Sequence, residues 1–263
     1  MAKTTDQAPD VMHQTVDAYL DPDRWQHEVD RIFRRLPLAL ALGSELPGPN
    51  TYKAIDVMGT PVLLARGADG TARAFLNVCR HRGSPLCEPG SGTARRFTCP
   101  YHAWVYDPCG DLVGMFGADT FGDVDRAELA LAPLSVAERA GFVWVCLTPG
   151  VDFDIDDFLG DFATTLGDLR LDEWHVYQQR ELVGPGWKVA WDGYLEGYHQ
   201  QALHPNTVGL TTVANLMAVD TFGPHQRITF ARKSIADLDG VPEADWPWGR
   251  DIRLIHSAFP NLS

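Results

Sequence analysis

Two short stretches each pair a cysteine with a histidine, and this pairing constrains the fold more than any other sequence feature. The first pair is Cys79-x-His81, and Cys99-x2-His102 follows after seventeen residues. Glycine and proline residues around both pairs indicate tight loops between strands. The fold is therefore expected to bring two loops of one β-structure together around a shared site.

Two cysteines and two histidines suit two kinds of metal site. They can hold one zinc ion in a closed tetrahedral site. They can also hold a [2Fe–2S] cluster, with both cysteines on one iron and both histidines on the other. Zinc fingers more often group their ligands as C-x2-C and H-x3-H, whereas each pair here is mixed. The spacing favours the cluster and leaves a structural zinc site as the alternative.

Hydrophobic patterning around these loops predicts strands on both sides of them. Apolar runs at 52–57, 61–66, 73–78 and 141–147 read as strands, with turn residues between them. Before them, Asp21 and Pro22 predict the start of an amphipathic helix over 22–36. After them, apolar residues at helical spacing predict one helix from about 155 to 166. We therefore divide the chain into segments 1–45, 46–150 and 151–263.

The charge of the chain limits its partners. The formal net charge is −13, so nucleic acid and anionic membranes are unexpected partners. The start of the sequence has no apolar signal segment, and the longest leucine-rich run is far shorter than the roughly 20 residues that span a bilayer. Five cysteines at mixed spacings do not suggest a secreted disulfide framework. A cytoplasmic protein without membrane contact is the expectation.

Four arginines surround the cysteine–histidine pairs in this otherwise acidic chain. They can be solvated loop charges or a docking patch for an acidic electron donor, and the sequence leaves both interpretations open. These residues are Arg80, Arg82, Arg95 and Arg96.

A second group of candidate ligands lies in the stretch GWKVAWDGYLEGYHQQALHP, residues 186–205. Its aromatic residues keep helical spacing and predict a buried helix: Trp187, Trp191, Tyr194 and Tyr198. Glu196, His199 and His204 follow at the end of this helix. Histidines five residues apart do not share a face of a regular α-helix, so a π-bulge or a helix break near Pro205 would have to bring them together. A core histidine beside an unrelated loop histidine is the alternative.

These motifs resemble those of a known family. The sequences CRHRG and CPYHAW are similar to the loops of Rieske domains. The W-K start followed by Glu196-x2-His199-x4-His204 resembles the large (alpha, terminal oxygenase) subunit of Rieske non-haem iron oxygenases. The resemblance implies an α+β chain, with an N-terminal helical segment over 1–45 packing on the catalytic domain and an all-β Rieske [2Fe–2S] domain over 46–150. It also implies an incomplete antiparallel-sheet-and-helix, helix-grip-like catalytic domain over 151–263.

The resemblance also implies which residues bind the cofactors. Cys79, His81, Cys99 and His102 would hold the [2Fe–2S] cluster. A mononuclear Fe(II) would be held by His199 and His204 and by a later aspartate. No aspartate between 205 and 263 has a matching context, and all of them read as surface residues, so the chain is expected to be a fragment of a longer oxygenase.

Catalytic roles and partners follow from the same resemblance. Glu196 would bridge a ligating histidine to His102 of a neighbouring subunit, with Asp192 as a further catalytic or solvated residue. A separate reductase or ferredoxin would deliver electrons from NAD(P)H. The expected assembly is a head-to-tail homotrimer or an α3β3 oligomer.

Three functions are compatible with the sequence. The first is a terminal oxygenase that uses O2 to hydroxylate an organic, aromatic substrate. A glutamate at position 196 also occurs in relatives that act on quaternary ammonium compounds, so a monooxygenase or demethylase of that class is the alternative. The third is an electron-transfer Rieske protein without a working mononuclear iron site.

Overall fold

The computed structural model describes residues 13–247 and 249–263, which form helices and antiparallel strands. The strands are β1 (Leu38–Leu42), β2 (Thr51–Val57), β3 (Thr60–Arg66), β4 (Ala72–Leu76), β5 (Gly90–Thr93), β6 (Phe97–Thr98), β7 (Val105–Tyr106), β8 (Leu112–Gly114), β9 (Pro133–Leu134), β10 (Val136–Arg139), β11 (Phe142–Val145), β12 (Thr212–Phe222), β13 (His225–Arg232) and β14 (Ile252–Ser257). The α-helices are α1 (Asp17–Leu20), α2 (Pro22–Glu28), α3 (Ile155–Leu159), α4 (Phe162–Gly167), α5 (Trp187–Tyr194), α6 (Gln200–Leu203) and α7 (Val208–Thr211). Among the described helices, none has the length and apolar character needed to cross a membrane.

The chain divides into two compact units. The β unit is Glu28–Gln179, and the helix–sheet unit combines the described residues of 13–27 and of 180–263. The domain bounds given by the sequence, 45/46 and 150/151, stay predictions.

The β unit contains the strands predicted from the apolar runs. Its largest sheet has the order β5-β2-β3-β4-β9, and smaller sheets have the orders β1-β11-β10 and β6-β7-β8. The pairings between these described strands are antiparallel, and a short turn joins the successive strands β2 and β3 between Val57 and Thr60. Two loops leave this framework, one after β4 and the other between β6 and β7.

A hydrophobic cluster of the β unit lies beneath these two loops. Leu63, Phe75 and Tyr106 are among its buried members, and Cys79 and Cys99 belong to the same cluster. Alternating side chains of β3 and β4 point into it, as expected for strands with one face on a core. The packed core therefore fixes the base of both loops.

The N-terminal helix is shorter than predicted. Asp21 caps α2, because its Oδ1 accepts the amides of Asp23 at 2.9 Å and Arg24 at 3.3 Å. The regular helix ends at Glu28, and a π-helical turn over Val29–Phe33 replaces the rest of the predicted 22–36 helix. The wider turn is closed by the bond from the amide of Arg34 to the carbonyl of Val29 at 3.0 Å.

The helix predicted near 155–166 is two helices, α3 and α4. Asp154 caps α3 by accepting the amides of Asp156 and Asp157. Gly160 has φ of +49°, a conformation outside the α-helical region that glycine adopts readily, and the helix is interrupted there. The prediction of one continuous helix was therefore wrong at this glycine.

The helix–sheet unit contains α5 to α7 and a sheet of order β12-β13-β14. The register of β13 and β14 places Phe230 directly opposite Arg253. Residues that face each other across antiparallel strands project to the same face of the sheet, so these two side chains share a face.

Candidate metal centres and cavity

The first candidate cluster loop is closed by its own backbone. The amide of Cys79 donates to the carbonyl of Ser84 at 2.8 Å, and the amide of Gly83 donates to the carbonyl of Cys79 at 3.0 Å. Gly83 has φ of +75°, which lets the chain turn back at this position without a Cβ clash.

The second loop repeats this pattern at the same spacing. The amide of Cys99 donates to the carbonyl of Trp104 at 2.7 Å, and the amide of Ala103 donates to the carbonyl of Cys99 at 3.0 Å. Ala103 has φ of +54°. A non-glycine residue rarely adopts this conformation, so the surrounding structure must hold the turn in place.

The two loops bring the four predicted ligands together. Cys79 and Cys99 are each only 2% exposed, and their thiols interact with each other. The imidazole rings of His81 and His102 have centroids 4.6 Å apart. Two sulfurs and two imidazoles therefore converge as pairs, one member of each pair from each loop.

Hydrogen-bond donors surround both sulfurs. Burial raises the pKa of the Cys99 thiol, but bonds from the backbone amides of Tyr101 and His102 outweigh burial and lower this pKa. For Cys79 burial is the larger effect and raises the pKa of the thiol, although hydrogen bonds from the amide of His81 and the Tyr106 hydroxyl act to lower it. Amides directed at sulfur stabilise the thiolate, which is the form that binds metal.

His81 has the properties of a metal ligand. Its ring stacks on Trp104 at 4.7 Å with an interplanar angle of 10°. Its Nδ1 atom is buried without a hydrogen-bond partner among the described residues. Burial, followed by the positive charges of His102 and Arg82, lowers the pKa of His81 and favours the neutral imidazole that coordinates metals. A bound iron would satisfy this nitrogen.

The paired arrangement fits a cluster better than a zinc ion. The two sulfurs lie together and the two imidazoles lie together, with one member of each pair from each loop. A tetrahedral zinc site needs four donors around one ion, whereas a [2Fe–2S] cluster needs only two protein donors on each iron. The residues present therefore fit the cluster predicted from the sequence.

Tyr106 is a functional candidate that the sequence did not single out. Its hydroxyl oxygen lies 3.6 Å from the sulfur of Cys79 and accepts the amide of Arg80 at 3.1 Å. Burial and the bond to Cys79 raise the pKa of Tyr106, so the hydroxyl keeps its proton. The Tyr106 oxygen accepts the amide of Arg80, and the hydroxyl proton can be donated to the sulfur of Cys79.

We expect Tyr106→Phe to lower the reduction potential of the cluster. A hydrogen bond to a cluster sulfur favours the reduced, more negative state, and the substitution removes that bond. Redox titration followed by EPR measures the shift. Tyr101→Phe is the matched control, because Tyr101 lies on the second loop but is 61% exposed. Equal potentials in the wild type and Tyr106→Phe would contradict the expectation.

Helix α5 leads to the second candidate site and is tied to α1. The Tyr19 hydroxyl donates to Oδ2 of Asp192 at 2.8 Å, which is the main cause of the raised pKa of Tyr19. The Lys188 ammonium donates to the carbonyl of Ala18. Asp192 therefore faces the N-terminal segment, which supports a positioning role, and its catalytic role stays a prediction.

The prediction that this helix is buried was wrong. Trp187 and Trp191 pack against Phe259, with ring centroids 6.1 and 6.0 Å apart. These contacts cover one side of α5, whereas Tyr194 is 54% exposed and Tyr198, beyond the helix end, is 92% exposed. Val189 and Gly193, on the side of α5 away from the tryptophans, line a cavity.

His199 and His204 come together at the two ends of one short helix, and the helix break lies before both of them rather than near Pro205, where it was predicted. The chain leaves α5 at Tyr194 and starts again with the four-residue helix α6, which has His199 at its N-terminal boundary and His204 at its C-terminal boundary. The two rings have centroids 5.4 Å apart and an interplanar angle of 75°. Two imidazoles at this separation can serve one metal ion.

Glu196 is hydrogen-bonded to the first of these histidines. Its carboxylate contacts Nδ1 of His199 and accepts the amides of Tyr198 and His199. Burial raises the pKa of Glu196, but these bonds outweigh burial and lower it. An ionised carboxylate on one ring nitrogen orients the imidazole and leaves the other nitrogen for a metal.

The three residues line a cavity of about 670 Å³. Val189, Ala190 and Tyr194 of α5 form one wall, and residues of β14 form part of another. This volume lies within the range of small-molecule sites, which are apolar clefts with a few polar groups.

Gly197 allows the loop between Glu196 and His199 to lie close to the sheet. A Cβ at this position would lie 2.3 Å from Cε1 of Phe230 and 3.1 Å from the carbonyl oxygen of Ala214. Phe230 is fully buried, so its ring has little room to move. No residue larger than glycine fits without displacing the loop.

We expect Gly197→Ala to destabilise the protein by about 1–3 kcal/mol, as overpacking does, and to reduce binding of mononuclear iron. Denaturant unfolding and iron content measure the two effects. Gly193→Ala is the matched control, because an added Cβ there meets nothing within 4 Å. Equal losses in both variants would show that crowding at Gly197 is not the cause.

The third ligand of a mononuclear iron is not identified among the described residues. Asp251 was predicted to be a surface residue, but it is only 4% exposed. It is buried because its carboxylate accepts the Ser234 hydroxyl at 2.6 Å and pairs with Arg250. Asp251 does not line the cavity beside His199 and His204.

Comparison with known families agrees with both sites. The Rieske [2Fe–2S] domain family matches residues 37–121. The family of ring-hydroxylating alpha subunits, in its catalytic domain, matches residues 171–263. The first match contains the four converging cysteines and histidines, and the second contains Glu196, His199 and His204.

Individual relatives match most of the chain. The carnitine monooxygenase oxygenase subunit of Acinetobacter pittii is 36% identical over 195 residues, 71% of this chain and 51% of the relative. The anthranilate 1,2-dioxygenase large subunit of Acinetobacter baylyi is 30% identical over 254 residues, 93% of this chain and 53% of the relative. The chain thus spans about half the length of these curated relatives.

A solved structure resembles most of the chain. The quaternary ammonium Rieske monooxygenase CntA, in complex with an inhibitor, superposes with a TM-score of 0.76 and 31% identity. The match covers 83% of this chain and 62% of that chain. With both domain types matched in the expected order, the chain belongs to the large subunits of Rieske oxygenases.

Proposed function

We propose that the protein is part of a terminal oxygenase that inserts oxygen from O2 into a small organic molecule. The observation that carries this proposal is the cavity in which Glu196, His199 and His204 meet, in a chain that also contains the paired Cys/His loops. An electron-transfer protein has no use for a metal site beside a cavity of this size.

In this proposal each group of residues has a defined task. Cys79 and Cys99 hold one iron of the cluster, and His81 and His102 hold the other. His199 and His204 hold the mononuclear Fe(II), with Glu196 keeping the His199 ring in one orientation by its hydrogen bond. When bound, the cluster supplies single electrons and the mononuclear iron activates O2.

The partners of the protein belong to the proposal as well. We expect a reductase or ferredoxin to deliver electrons from NAD(P)H. The exposed arginines around the cluster loops suit an acidic donor, although solvated charge explains them equally well. A head-to-tail trimer is expected, in which Glu196 reaches His102 of the partner subunit.

Two substrate classes have support from named relatives. Carnitine and glycine betaine monooxygenases are 36% and 34% identical to this chain, which favours a quaternary ammonium substrate. The anthranilate dioxygenase, whose match covers 93% of this chain, supports an aromatic acid as the second candidate.

The test starts with iron, zinc and acid-labile sulfide per chain on anaerobically purified protein, with EPR after reduction. We expect a Rieske-type signal, sulfide, and iron in excess of the cluster. O2 consumption is then measured with a reductase and with carnitine, glycine betaine or anthranilate. The compound that stimulates O2 consumption identifies the substrate class. Zinc without sulfide would overturn the proposal, and a cluster without O2 consumption would favour electron transfer alone.

A further inference from the structure

Arg253 of β14 lines the cavity that contains His199 and His204. Its Nε atom is buried and has no hydrogen-bond partner among the described residues. By contrast, Arg227 on the neighbouring strand β13 forms an ion pair with Asp220 at 2.9 Å. A buried guanidinium nitrogen without a partner is costly, so a ligand that pairs with it would gain affinity.

The register of the sheet directs Arg253 toward the candidate metal site. Phe230 lies opposite Arg253 and on the same face, and the Phe230 ring contacts the backbone at Gly197, next to Glu196. The face that carries Arg253 is therefore the face covered by the Glu196–His199 loop.

Among the described residues, none that lines this cavity offers a free anion to Arg253. The acidic residue that lines it, Glu196, is already engaged by the His199 side chain and by the amides of Tyr198 and His199. The cavity thus combines apolar walls from α5 with one cationic group that has free hydrogen-bonding capacity.

We propose that Arg253 binds a carboxylate group of the substrate. This inference rests on the proposed function, because it takes the cavity as the substrate site, and the candidate substrates carnitine, glycine betaine and anthranilate each carry a carboxylate. A guanidinium presents its N–H donors as a planar fork that can donate to both oxygens of a carboxylate, which fixes the orientation of the ligand as well as pairing its charge. Arg253 would therefore select acids over neutral or purely cationic analogues of the same shape.

Anaerobic calorimetry on the iron-loaded protein tests this selection without turnover. The probes are two matched pairs: glycine betaine against choline, and anthranilate against aniline. We expect at least one acid to bind wild type about tenfold or more tightly than its partner, the size of one charge-assisted hydrogen bond. Arg253→Gln is expected to remove this preference, and Arg253→Lys to keep part of it.

Arg227→Gln is the matched control, because it removes an arginine of the same sheet whose ion pair with Asp220 lies outside the cavity. We expect it to leave the acid preference unchanged. Equal weakening of acids and neutral partners in Arg253→Gln would overturn the inference, as would a wild type that does not prefer either acid. Acid-selective binding without O2 consumption would refute the proposed function and leave the role of Arg253 intact.

Discussion

Replacing Cys79 with serine is expected to remove the [2Fe–2S] cluster, together with its visible absorption and EPR signal. A serine hydroxyl is a poor substitute for a thiolate at an iron that prefers soft ligands. His102→Ala is expected to have the same effect, because it removes one of the two imidazoles from the second iron. Iron and sulfide analysis with visible spectroscopy measures the loss.

Cys87→Ser is the matched control for the first substitution. Cys87 packs against the same hydrophobic cluster as Cys79 but lies outside the converging group of ligands. We expect this variant to keep the cluster. An intact [2Fe–2S] spectrum in both Cys79→Ser and His102→Ala would mean that other residues hold the cluster.

Replacing Glu196 with alanine is expected to leave both metal centres occupied. Turnover is expected to fall by about 100-fold, which is the largest loss usual for a residue that orients a metal ligand. The carboxylate is not one of the proposed iron ligands, so its loss leaves the two histidines in place. It removes the hydrogen bond to Nδ1 of His199 and the proposed link to the neighbouring subunit. Iron content, EPR and product formation measure the two parts of this expectation.

Two further variants separate charge from structure at this position. Glu196→Gln keeps a hydrogen-bonding side chain without the charge, and Glu243→Ala removes an exposed glutamate of the same unit. We expect low turnover in the first variant and normal turnover in the second. Near-normal turnover in Glu196→Ala would exclude Glu196 from the mechanism, and loss of mononuclear iron would make it a structural support instead.

The features that the sequence predicted correctly are those in which chemistry requires particular residue types at close spacing. Cys79 with His81, and His199 with His204, could be paired because each pair lies within a few residues of chain. The strands around the first site were predictable from apolar runs, because each packs against the core of the β unit.

The features that the sequence did not predict depend on contacts between distant residues or on backbone geometry. The helix is interrupted at Gly160 because this residue has a positive φ. A glycine can adopt a positive φ but does not have to, so the sequence alone does not predict the interruption. The roles of Tyr106 and Arg253 arise from partners far away in sequence, Cys79 for the first and the α5 cavity for the second. The available signal for Arg253 was a charged residue inside the otherwise apolar run 252–255.

The backbone closure of the two cluster loops has a consequence for how these loops tolerate substitution. Because each cysteine amide donates to a carbonyl five residues ahead, main-chain bonds set the point at which each cysteine side chain leaves its loop. Side chains between the ligands can then change with little effect on the position of the sulfurs, whereas substitutions that strain the left-handed turns at Gly83 and Ala103 would move them.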